Sequence, residues 1–67
     1  MNKKFARAVG KWCLIKSRAD WFGKPRQAKI MRLSPSGGYV QYHYSNEDPL
    51  WRDIREVDLL EILDYGS

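Results

Sequence analysis

The stretch "RQAKIMRLSPSGGYVQYHYS" (Arg26–Ser45) decides the fold. Two β-prone runs flank "SPSGG" (Ser34–Gly38), a cluster of residues that pre-set or tolerate turn conformations. The pattern predicts a hairpin, with strands over Arg26–Leu33 and Tyr39–Ser45. Side chains alternate across a strand. Ala28 and Ile30 therefore share one face, with Gln27, Lys29 and Met31 opposite. In the partner strand Val40 and Tyr42 point inward and Tyr44 stands near the rim. Tyr39, Gln41 and His43 take the other face.

Working outward, "KWCLIKS" (Lys11–Ser17) reads as a preceding strand, with Cys13 and Ile15 on one face and Trp12 and Leu14 on the other. Arg18–Pro25 is a loop carrying adjacent aromatics, Trp21 and Phe22. Beyond the hairpin, Asn46–Pro49 is a turn and Leu50–Ile54 a short fourth strand. A helical turn is expected near Glu56–Asp58, then a last strand over Leu60–Leu63. Five short strands in so short a chain predict a small closed β-barrel, since closure removes exposed edges. The expected organisation is a loose basic lead-in at 1–9, whose Phe5 and Val9 dock on the core, one barrel domain at 10–64, and a tail at 65–67.

Composition narrows the function. With 67 residues there is one small core, and most large apolar side chains are needed for it. No apolar run reaches the roughly 18 residues that span a bilayer, and no secretory leader is legible. The one cysteine, Cys13, can form no internal disulfide, so an intracellular setting is expected. Residues 1–33 hold ten Lys/Arg and one acid, giving +9; residues 34–67 hold two Arg and seven acids, giving −5. The basic half points to an acidic partner, or to complementary halves within one fold.

The element order, with "QAKI" (Gln27–Ile30), "YVQYHYS" (Tyr39–Ser45), Trp51 and the closing "DLLEIL" (Asp58–Leu63), resembles the Tudor and chromo-barrel (Tudor-knot) families of SH3-like barrels. The resemblance covers roughly Gly10 to Leu63 and implies an all-β, five-stranded SH3-like barrel with one helical turn before the last strand. It also implies a non-enzymatic module that binds a peptide, in a nucleus if it reads chromatin. In those families aromatic side chains at one barrel end cage a methylated lysine or arginine. Tyr44 and Trp51 fall on cage positions, and Trp21 or Phe22 would complete the set. Glu47 stands where the family has a further ring, and Arg26 where an aromatic precedes the second strand.

The chemistry of such a cage is the attraction of a cation to aromatic faces, about 0.5–2 kcal/mol per contact. Glu47 and Asp48 would form its acidic rim. A second expectation is a small basic barrel, of bacterial or phage kind and then cytoplasmic, that binds nucleic acid. Its contacts would be Lys3, Lys4, Arg7, Arg18, Lys24 and Arg26 with the loop aromatics. A protein-interaction adaptor or inhibitor is the third. Catalysis is not expected, because no nucleophile–base set or phosphate loop is present. No cofactor, metal or membrane partner is expected; Cys13 and His43 are too few for a metal site.

Overall fold

In the computed structural model, which describes residues 3–18 and 24–63, the chain is a five-stranded antiparallel sheet with a short N-terminal helix. The elements are α1 (Lys3–Ala8), β1 (Trp12–Ser17), β2 (Arg26–Leu33), β3 (Tyr39–Tyr44), β4 (Leu50–Asp53), a 3-10 turn η1 (Ile54–Glu56) and β5 (Val57–Ile62). The strand order is β4-β3-β2-β1-β5. The hairpin forms where the sequence predicts it. Gly37 N–H donates to the Ser34 carbonyl at 2.9 Å, and the Tyr39 N–H donates to Ser34 Oγ at 3.1 Å. Gly37 has φ +77°, a conformation that costs glycine nothing.

The inner face carries the core: Cys13, Ile15, Ala28, Ile30, Val40, Tyr42, Tyr44, Val57 and Leu59 are all buried. Two register irregularities let residues of odd spacing share that face. One lies between Ile30 and Arg32 and sets Leu33 against Val40. The other lies in the β1–β5 pairing, where Leu14 meets Glu61 and Ile15 meets Leu59, leaving Leu60 exposed. The expected face for Met31 is lost to the first of these, and Arg32 takes the outward position opposite Gln41.

Three expectations differ from what forms. The lead-in is not loose over Lys3–Ala8; it is a helix whose Phe5 and Ala8, one turn apart, enter the core. Six residues cannot hold a helix in water, so this burial stabilises it. Val9 stays exposed. The last strand starts at Val57 rather than Leu60, and the helical turn precedes it at Ile54–Glu56. Asp53 accepts the Arg55 N–H at 2.9 Å and so starts η1 early. Val57 and Leu59 then alternate inward as strand residues.

The third difference is closure. The ladder runs open, with β4 and β5 as its edges among the described residues. The sheet is nevertheless strongly coiled. Laid flat, edge strands separated by four gaps would stand about 19 Å apart. Yet η1 joins them from Asp53 to Val57, four residue steps that reach at most about 14 Å. Only a curled sheet satisfies both. The Arg18 N–H, at the end of β1, donates to the Glu56 carbonyl at 2.7 Å and ties η1 to that strand.

Candidate functional site

Strand parity separates the two expected cage residues. Tyr42 pairs with Leu50 and Gln41 with Trp51. Directly paired residues share a face, so Leu50 and Arg52 join Val40, Tyr42 and Tyr44 inside, while Trp51 joins Tyr39 and Gln41 outside. Exposure agrees: Tyr44 is 7% exposed and Trp51 48%. The cage pairing is thereby corrected for the described residues, because Tyr44 and Trp51 point to opposite sides of the sheet. Trp21 and Phe22 lie outside the described residues.

At Tyr44 the chain supplies its own cation. Arg26 lies two residues from Ala28, the residue paired with Tyr44, and so is its diagonal neighbour on the inner face. Its guanidinium carbon sits 3.7 Å from the centre of the Tyr44 ring. The same guanidinium donates to Glu47 Oε2 at 2.7 Å. Glu47 is brought there by the β3–β4 turn, where its N–H donates to the Tyr44 carbonyl at 3.1 Å and Asn46 takes φ 64°. Arg26 and Glu47, the two positions where the expected cage lacked a ring, thus meet each other over Tyr44. Tyr42 packs edge-on against Tyr44, with ring centres 5.5 Å apart. Asp48 is exposed beside this clasp in sequence, without an ion pair among the described residues.

The expected nucleic-acid contacts lie on separate elements. Lys3, Lys4 and Arg7 are exposed on α1, beside the start of β1. Arg18 follows the end of β1, Lys24 precedes β2, and Arg26 opens β2 opposite Ile15. Arg18 is 3.9 Å from Asp58, and Arg26 is engaged in the clasp. An open groove runs between α1, the β2–β3 turn and η1, floored by Ala6, Leu33, Pro35 and Ile54, with Lys3 beside it.

The outer face of β2–β4 is what the sequence reading passed over. One row runs Trp51–Gln41–Arg32 across β4, β3 and β2. The next runs His43–Lys29–Trp12 across β3, β2 and β1. Trp12 and His43 meet edge to face, with ring centres 5.4 Å apart, although Lys29 lies between them in the register. His43 Nδ1 is 2.9 Å from the Tyr44 carbonyl. A carbonyl only accepts, so Nδ1 carries the proton and Nε2 is the other ring position. Tyr39 is 51% exposed at the β3 end of this surface. Lys29 and Arg32 have no ion-pair partner among the described residues.

The acids lie elsewhere. Glu47 is in the clasp and Asp58 and Glu61 are on β5. Asp53 shares the Tyr39 end but is gripped by Arg55, whose Nη2 donates to Oδ2 at 2.9 Å. Hydrogen bonds from the Arg55 side chain, then its backbone, hold the Asp53 carboxyl below its ordinary value of 3.8. Cys13 is fully buried, with its thiol pushed up from 9.0 by that burial, and it supplies no accessible nucleophile. Among the described residues no three His, Cys, Asp or Glu side chains gather as a metal would require. Comparisons of the chain with protein-family models, with curated proteins and with solved structures find no match.

Proposed function

We propose that the chain is an SH3-like barrel left open between β4 and β5, and that it works as a non-enzymatic module binding nucleic acid. The meander β1–β4, the return of β5 to β1 and the helical turn before β5 support the fold reading. The binding reading rests on one observation above all: the outer face of β2–β4 presents Lys29 and Arg32, cations without an ion-pair partner among the described residues, beside exposed rings, with the Asp53 carboxylate opposite Tyr39 paired to Arg55. In linear sequence the basic and acidic halves look like a simple dipole. In the strand order the basic strand β2, with Arg26, Lys29 and Arg32, is central, and the β3 outer face, Tyr39–Gln41–His43, adds no acid. An anionic polymer is the partner that complements such a surface.

The test is the salt dependence of binding. Fluorescence anisotropy with labelled oligonucleotides is expected to show log K falling linearly with log salt, by about 0.7–0.9 per neutralised phosphate. Replacing Lys29 and Arg32 together by Gln should reduce that slope by the equivalent of about two contacts. Absence of binding to both single- and double-stranded oligonucleotides at low salt would refute the reading. The methylated-guest reading rests on Tyr44 alone among the described residues, and there Arg26 already supplies the cation.

A further inference from the structure

We infer that the nucleic acid this surface takes is single-stranded, with bases stacked on Trp51 and Tyr39 and phosphates held by Lys29 and Arg32. This deepens the nucleic-acid reading and depends on it. The first ground is what the fold leaves out of its core. A chain of 67 residues has few large apolar side chains to spare. Even so, Trp51 and Tyr39 keep about half their surface exposed, and parity turns both outward. They are diagonal neighbours, about 7–8 Å apart, close enough to serve successive bases.

The second ground is shape. The helix α1 packs its buried residues on the inner face, so it does not project from the outer one. A duplex hides its base faces and is read by elements that enter a groove. A sheet face with outward rings meets only bases that are already unstacked. The third ground is how the two rows divide the work. Cations lie along β2 and exposed rings along β3 and β4, with the Gln41 amide between Arg32 and Trp51. A strand whose backbone follows β2 therefore lays its bases toward β4, and Gln41 offers both a donor and an acceptor to their edges.

The experiment is fluorescence anisotropy at one fixed low salt, using labelled oligothymidine and a mixed-sequence duplex of the same length. Oligothymidine is expected to bind about tenfold tighter or more. Trp51→Ala should weaken oligothymidine binding about tenfold or more, with duplex binding unchanged, and Trp51→Phe should keep most of the affinity. Thermal unfolding of each variant verifies that the half-exposed site changes without loss of the fold. Equal affinity for duplex and single strand, or an unaltered oligothymidine affinity in a folded Trp51→Ala, would overturn the inference. A normal salt slope in that case would leave the broader nucleic-acid reading standing. If neither probe binds, both fall together.

Discussion

Replacing Arg26 tests whether the chain fills its own aromatic site. The guanidinium makes two contacts of known geometry: 3.7 Å to the Tyr44 ring centre and 2.7 Å to Glu47. The ion pair is half-exposed, with side-chain accessibilities of 43% and 51%. An exposed pair contributes about 0.2–1 kcal/mol. The ring contact adds about 0.5–1 kcal/mol. Arg26→Ala is therefore expected to cost about 0.7–2 kcal/mol, lowering Tm by roughly 5–14 °C in a domain of this size. Urea unfolding of Arg26→Ala, Glu47→Gln and the double variant should give a coupling of about 0.2–1 kcal/mol that shrinks in concentrated salt. Arg26→Lys should retain part of the stability, because it keeps the charge but not the planar stack. The same substitution uncovers the face of Tyr44. NMR titration with trimethyl-lysine peptide should then move the Tyr44 resonances in Arg26→Ala and leave them still in the parent. A stability unchanged by Arg26→Ala, together with zero coupling to Glu47, would refute the clasp.

Two further outcomes follow from groups near the same strands. The Tyr42 hydroxyl is buried and finds no hydrogen-bond partner among the described residues. Tyr42→Phe keeps the ring pair with Tyr44 and removes a group that costs about 1–3 kcal/mol to bury unpaired. Chemical unfolding should show a gain of about 1 kcal/mol, and a loss of that size would mean the hydroxyl is bonded. Asp53 has its carboxyl lowered by Arg55, so its contribution is complete above the ordinary value of 3.8 and fades as pH falls through the lowered folded value. Unfolding followed from about pH 5 downward should show the advantage over Asp53→Asn closing only in strong acid. An advantage that is the same at every pH would sink that assignment.

The hairpin was legible because its signals agree. Ser34–Gly38 offers turn residues, and the flanking runs alternate so that Ile30, Val40 and Tyr42 meet inside. The short helix was not, since Lys3–Ala8 holds only two core residues and draws its stability from the sheet it covers. The site misreading has a sharper cause. Tyr44 and Trp51 are joined by a turn whose register fixes which side Trp51 takes, and a shift of one residue reverses every side chain after it. Spacing along the sequence carries no record of that parity. The Arg26–Glu47 contact was hidden for a related reason. Each looked like a substitution, and only the diagonal placement of Arg26 beside Tyr44 makes them partners.

The strand order also sets a sequence of events in folding. Four strands follow one another as neighbours, so β1 to β4 can zip through short loops. The β5–β1 pairing is different: Val57 meets Ser17 and Ile62 meets Cys13, partners at opposite ends of the chain. Closing so long a loop from an unfolded coil is slow. Once the meander has coiled, however, η1 delivers β5 to the free side of β1 over only three residues. The last strand therefore docks late and as a consequence of the curl, and slowing this step should leave a four-stranded species with β1 open to a strand from another chain.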